Sequence, residues 1–256
     1  QLIAKYFEEH QKDFTDFLIA FDSYYTTNSP ENKELSDFIY NKLKEKGFIY
    51  KKKIPVIYCS HCKRFLPDRY VRGTCPACGA KDQYGDVCEA CGKTHKTTDL
   101  KNPKCSLCGN APEERTSEHL FFKLSAFADD LQRFLAAAEI QDEVKNFVLN
   151  WIKDLKDWCI SRDGPYFGFE IPGEKNKFYY VWLDAPVGYI ASTANYCKIH
   201  PGNGNADDYW KSPTGKVIHV IGKDIMYFHL LFWPAMLMVA EFNLPSRIQV
   251  HGFLTV

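Results

Sequence analysis

The chain has 256 residues, 45% of them hydrophobic and 15% aromatic, which is material for about two domains with buried cores. Its 32 Lys plus Arg balance 32 Asp plus Glu, so no cationic excess marks a DNA-binding protein, and any RNA contact must come from a local patch. The longest apolar run, Tyr227 to Ala240, is broken by His229 and Pro234 and falls short of the about 20 residues of a membrane helix, which excludes that kind of span.

The first residues, Gln1-Leu2-Ile3-Ala4, carry neither an initiator Met nor a basic-then-apolar secretory pattern, and are expected to be an internal point of a larger protein. Two helices are expected before Phe48. The second starts at Ser29-Pro30 with Glu31 in its first turn, stripes Leu35, Phe38, Ile39 and Leu43 on one face, and closes at Gly47.

From Lys51 to about Arg115 the composition shifts to Cys, Gly, Lys and Asp with few large aliphatics, too little to build a core unaided. Eight of the ten cysteines pair as CxxC: Cys59/Cys62, Cys75/Cys78, Cys88/Cys91 and Cys105/Cys108. A two-residue gap turns both thiolates of a knuckle toward one tetrahedral Zn²⁺, so four pairs make two Cys₄ sites. Sequential and nested pairings both fit the spacing. The nested one is favoured, with an inner site of Cys75, Cys78, Cys88 and Cys91 and an outer site of Cys59, Cys62, Cys105 and Cys108. Four thiolates leave no open coordination position, so both Zn²⁺ ions are expected to be structural. Thiolate chemistry on this scale implies a reducing compartment, the cytoplasm. His61 and His95 lie nearby but are expected to be exposed non-ligands, and the lone Cys159 and Cys197 are assigned no role.

From His119 to about Trp158 apolar residues recur at helix spacing, which predicts two packed helices. Beyond Pro165 the pattern becomes strand, helix, strand: Lys177 to Leu183, then Ala185 onward; Lys216 to Ile221, then Ile225 onward; finally Arg247 to Val256. That alternation predicts parallel β-α units with ligands at the carboxyl ends of the strands. At the first turn Asp184 is expected to cap a helix with Pro186 in its first turn, and Trp182, Ala185, Pro186 and Tyr189 gather into an apolar pocket with one hydroxyl. At the second, Gly222 permits close backbone approach, Asp224 caps a helix or binds a ribose, and Ile225 and His229 share a helix face. Composition alone reads Trp182 and Tyr189 equally well as core packing and His229 as a satisfied core histidine.

The segments FLPDRYVRGTCPACGAKDQYGDVCEACG (Phe65 to Gly92), ISRDGPYFGFEIP (Ile160 to Pro172), YVWLDAPVGYIAS (Tyr180 to Ser192), IGKDIMYFHLLFWPAML (Ile221 to Leu237) and VHGFLTV (Val250 to Val256) resemble the methionyl-tRNA synthetase family, a class I group. The resemblance covers nearly the whole chain. It implies an α/β chain: part of a class I Rossmann-like nucleotide-binding fold carrying an inserted zinc-knuckle connective domain. Residues 1–50 would be the helical end of the first Rossmann half, 51–115 the zinc-knuckle insertion, 116–174 the helical part of the connective region and 175–256 the second Rossmann half.

The same resemblance implies that Trp182, Ala185, Pro186, Tyr189, Ile225 and His229 line a methionine side-chain pocket. Gly222, Asp224 and Leu254 would bind ATP, and Arg162 would act in catalysis by holding substrate carboxylate or phosphate. The implied reaction joins methionine to the α-phosphate of Mg²⁺-bound ATP and passes the aminoacyl group to the acceptor end of tRNA(Met), by positioning and charge stabilisation without a covalent nucleophile. The family's His-Ile-Gly-His-type and Lys-Met-Ser-Lys-Ser-type loops do not occur in these residues; they are expected before Gln1 and after Val256, leaving the isolated chain inactive. Two other readings compete: a zinc-ribbon RNA-binding or adaptor module, which explains the CxxC block but not the two turns, and another class I synthetase core.

Overall fold

The computed structural model describes residues 2–85, 88–91 and 96–253. The chain folds as two compact units, one formed by Gln1–Phe48, Phe122–Trp158 and Val181–Val256, the other by Ile49–Phe121 and Cys159–Tyr180.

The first unit is built on a parallel sheet in which Pro245–His251 lies between Val217–Gly222 and Glu139–Ile140. Registers such as Ile221 opposite Val250 and Ile248 opposite Ile140 place the carboxyl end of Val217–Gly222 beside His251. Parallel neighbours need a long crossover. Here the crossover is the apolar run read from the sequence: a π-helical turn, Phe228–Phe232, continuing into the α-helix Trp233–Ala240. Leu230, Leu231, Phe232, Trp233, Ala235, Met236 and Leu237 are all fully buried. A helix apolar all round belongs inside a core, and among the described residues no helix is long and apolar enough to cross a membrane.

Two helices open the chain, Leu2–Asp16, which buries no residue, and Pro30–Glu45, which packs on Trp233–Ala240. The second starts as its sequence predicts, Ser29 Oγ accepting the Asn32 N–H at 3.2 Å, and ends just before Gly47. Its buried face differs from the apolar stripe expected: Asn32, Ser36, Ile39, Tyr40 and Leu43 face inward, so two polar residues are placed in the core. The helices Ala128–Ala137 and Asp142–Ile152 form as predicted, but the segment before them does not. His119 to Phe122 end the strand Glu113–Phe122, where the inward alternation of Leu120 and Phe122 outweighs the short helical period.

A second correction falls at the first predicted turn. The strand expected from Lys177 to Leu183 stops at Tyr179, pairing antiparallel with Ser161–Asp163 instead of joining the parallel sheet. The backbone then makes a four-residue helix, Val181–Asp184, and after Pro186 a second helix, Val187–Ile199. A continuous run of aromatic and aliphatic residues does not distinguish a strand from a buried helical turn.

The second unit is small-sheet architecture. In one sheet Ile49–Cys59 is hydrogen-bonded to both Arg64–Phe65 and Glu113–Phe122, and in another Val71–Thr74 lies between Gln83–Tyr84 and Lys101–Cys105. Its own core cluster is Ile57, Cys59, Leu66, Val71, Leu100 and Cys105, with Cys62 and Cys108 packed against it. Four of these eight residues are cysteines.

Candidate functional site

The eight CxxC thiols gather into two groups. Cys59, Cys62, Cys105 and Cys108 form one; Cys75, Cys78, Cys88 and Cys91 form the other, all four sulfurs of each group lying within 4.8 Å of one another. The grouping is nested. Closest approaches are 3.5 Å for Cys59 to Cys108, 3.9 Å for Cys62 to Cys105, 4.0 Å for Cys75 to Cys91 and 3.6 Å for Cys78 to Cys88. Sulfurs 2.3 Å from a tetrahedral zinc stand about 3.8 Å apart, so both groups match the size of a Zn²⁺ cage.

The knuckles explain how. Cys75 and Cys105 make the same turn: Gly79 N–H bonds to Cys75 C=O at 3.0 Å and Gly109 N–H to Cys105 C=O at 2.8 Å, with Gly79 at φ +77° and Gly109 at φ +75°. Only glycine holds that left-handed conformation without cost. The turns aim N–H groups at sulfur, from Ala77 to Cys75 at 3.4 Å and from Cys62 to Cys59 at 3.4 Å. Backbone N–H donors lower Cys75 and Cys108 to about 6, whereas hydrogen bonding to Cys108, followed by burial, raises Cys62 to about 12. Four thiols this close cannot all ionise unless a cation joins them. His61 is exposed, and His95 lies outside the described residues.

In the first unit the second turn builds an aromatic and imidazole cluster. After Gly222 the chain makes a tight turn over Lys223–Ile225, and the π-helical turn follows. His229 lies in this turn and is fully buried, and single π turns recur at functional sites. His229 Nδ1 lies 3.1 Å from Ile225 C=O and its Nε2 2.9 Å from the Tyr189 hydroxyl. A carbonyl accepts only, so Nδ1 carries the proton and Nε2 accepts from Tyr189. Burial then holds His229 below the usual imidazole range and raises the Tyr189 hydroxyl.

Trp182 stacks on Phe228 with ring centroids 4.1 Å apart and planes 6° from parallel, and lies 6.2 Å from the His229 ring. Behind them His219, pushed down to about 3 by burial and by His229, accepts a hydrogen bond from Trp233 Nε1 at 3.2 Å. Trp182, Tyr189 and His229 are thus brought together, with Ile225 contributing its carbonyl. Ala185 and Pro186 form the bend between Trp182 and Tyr189. The cluster is neutral, aromatic and polar at one edge, a chemistry suited to an uncharged side chain of medium size.

Three members escaped the sequence reading. Phe228 adjoins His229, and His219 faces inward two residues before Ile221; strand alternation pointed to His219, whereas only the π-turn geometry reveals Phe228 and Trp233. The expected helix caps do not form. Asp184 caps nothing and its Oδ1 is buried without a hydrogen-bond partner among the described residues, which, by desolvation, lifts its carboxyl to about 6. Asp224 likewise makes no cap; it is exposed, and its Oδ1 reaches back so closely that a Cβ on Gly222 would stand 2.6 Å from it. Leu254 lies outside the described residues.

Arg162 belongs to the second unit. Its guanidinium lies 4.1 Å from the centre of the Tyr180 ring and donates to Ser161 C=O at 2.8 Å. Beneath it is a buried ion cluster: His119 Nε2 stands 3.1 Å from Asp163 Oδ2, an ion-pair distance without hydrogen-bond alignment, and Lys177 reaches the other carboxylate oxygen. His119 Nδ1 meets Ser161 Oγ at 2.9 Å. Burial alone would depress His119; the Asp163 carboxylate and Cys159 thiol outweigh it and raise the imidazole to about 9.

The profile of the family described as "tRNA synthetases class I (M)" matches residues 1–256. A methionine--tRNA ligase of Myxococcus xanthus is 52% identical over 99% of this chain and 37% of its own length. Methionyl-tRNA synthetase of Mycobacterium tuberculosis bound by methionyl-adenylate superposes with a TM-score of 0.63 at 26% identity, over 92% of this chain and 41% of that one. Its free form gives a TM-score of 0.64 at 25% identity, over 98% of this chain and 45% of that one. The chain spans about two-fifths of the length of these relatives.

Proposed function

Because the chain belongs to the class I tRNA synthetase family of the methionine type, we propose that it carries the methionine-recognition part of a methionine--tRNA ligase. The whole protein would activate methionine with ATP to methionyl-adenylate and transfer it to the acceptor end of tRNA(Met). The observation that carries this reading is the Tyr189 to His229 hydrogen bond beside the stacked Trp182 and Phe228, close to the carboxyl end of a parallel strand. Ligands of such sheets bind at that end.

In this reading Trp182, Ala185, Pro186, Tyr189, Ile225 and His229 enclose the methionine side chain, whose apolar length packs on the indole while its sulfur meets the polar edge. Gly222 lets the adenosine approach the backbone, the exposed Asp224 carboxylate accepts from ribose hydroxyls, and Leu254 lies against the base. Arg162 holds a carboxylate or phosphate oxygen. Mg²⁺ accompanies the ATP and neutralises phosphate charge.

Each Cys₄ group holds one structural Zn²⁺, which supplies the folding free energy that the thin core of the second unit lacks. Eight cysteines kept as thiols for metal support a reducing compartment, the cytoplasm. The test is amino-acid-dependent pyrophosphate exchange by the full-length protein. Methionine is expected to support it, and preferential exchange with leucine or isoleucine would overturn the reading.

A further inference from the structure

We infer that Asn32 is a positioning residue for the pocket, clamping the bend Asp184–Gly188 on which Trp182 and Tyr189 depend. The inference rests on the reading of that pocket given above. It starts from a backbone accounting at the bend. Val181–Asp184 is one helical turn, and Pro186 has no N–H to continue it. In an unbroken helix the Asp184 carbonyl would accept from the N–H of Gly188. That N–H instead bonds to Ala185 C=O at 3.1 Å, and the Tyr189 N–H to Pro186 C=O at 3.1 Å. The bend therefore withdraws the helical donor from the part-buried Asp184 carbonyl, and a carbonyl turned away from water needs a replacement.

Asn32 supplies it. Its side-chain amide donates to Asp184 C=O at 3.2 Å and to Thr27 C=O at 2.9 Å, so both amide hydrogens are used. The residue is fully buried, and its own N–H is fixed by Ser29 Oγ. Thr27, the second acceptor, also seats the far side of the bend: a Cβ on Gly188 would stand 2.9 Å from Thr27 Cγ2. One short segment, Thr27 to Asn32, thus grips the bend on both sides, one grip polar and one steric. Asn32 Oδ1 and Asp184 Oδ1 are left buried without hydrogen-bond partners among the described residues. An aliphatic residue at position 32 would avoid that cost; the amide is retained because an aliphatic side chain has no donor for the orphaned carbonyl.

The test uses the full-length protein with Asn32→Ala and Asn32→Leu, reading two quantities. Hydrogen–deuterium exchange at Gly188 and Tyr189 is expected to accelerate, and KM for methionine in pyrophosphate exchange to rise about tenfold or more while KM for ATP stays within about twofold, since small displacements of a positioned group carry large kinetic penalties. Unchanged amide exchange, or faster amide exchange with an unaltered methionine KM, overturns the inference. If the Asn32 variants do not fold, Gly188→Ala serves. It is expected to raise the methionine KM by forcing Thr27 away, and Thr27→Ser with Gly188→Ala is expected to restore it by removing the opposing methyl; no rise in the single variant overturns the inference. A wild-type protein that fails to exchange with methionine defeats the functional reading, and the amide exchange still decides the clamp.

Discussion

The Tyr189 hydroxyl and His229 Nε2, 40 residues apart in sequence, meet at 2.9 Å, and the proton on His229 Nδ1 is pinned by the Ile225 carbonyl. Tyr189→Phe removes the donor and leaves a buried nitrogen unsatisfied, which costs about 1–3 kcal/mol. The expected outcome is weaker methionine binding by isothermal titration with ATP binding retained. Equal methionine affinity in the variant would return the couple to a packing role.

His219 and His229 are both buried neutral, His219 with its pKa lowered to about 3. The unfolded chain takes up protons below about 6.5; the folded one does not. Stability held above that pH is therefore lost as pH falls from about 6.5 toward 3. Urea midpoints measured between pH 7 and pH 5 are expected to drop, and His219→Gln, which keeps an acceptor for Trp233 Nε1, is expected to flatten part of that drop. An unchanged slope in the variant would show that His219 is not the titrating group.

His119 behaves in the opposite sense. Its folded value is raised to about 9, so the stability it contributes is complete below about 6.5 and disappears as pH rises through 9. Asp163→Asn leaves the imidazolium and Lys177 without their carboxylate, and breaking a buried pair of this kind costs about 3–5 kcal/mol. Thermal unfolding should show the variant less stable at pH 7 and without the wild-type decline between pH 7 and 9. A variant matching wild type at both pH values would remove the ion cluster from the stability account.

Elemental analysis is expected to find two zinc ions per full-length chain, falling to one in Cys88→Ala. Cys59→Ala is expected to be the more damaging change, because Cys59 also belongs to the core cluster with Ile57 and Val71. Full zinc content in Cys88→Ala would mean that the inner group is not a metal site.

What the sequence disclosed followed from how local each signal was. CxxC spacing is a property of four adjacent residues, so both thiol groups could be anticipated; loop length favoured nesting, but the sequential pairing fitted the spacing too. Parallel pairing of Val217–Gly222 with Pro245–His251 was also legible, since each strand is bounded by turn residues. The segment from Tyr179 to Asp184 misled because its burial, not its periodicity, sets its conformation. Phe228, Trp233 and Asn32 were invisible for another reason: a π turn and a side-chain bond spanning 152 residues leave no periodic trace. The expected caps failed because both turns are made by main-chain bonds.

The nested knuckles also differ in the length of loop that each must close. Cys78 and Cys88 are separated by 10 residues, whereas Cys62 and Cys105 are separated by 43. Closing the longer loop costs about 1.3 kcal/mol more in chain entropy, so the inner group is the cheaper one for the chain to gather, and gathering it shortens the loop that the outer group must span. The outer thiols, which belong to the small core, are the costlier group to gather.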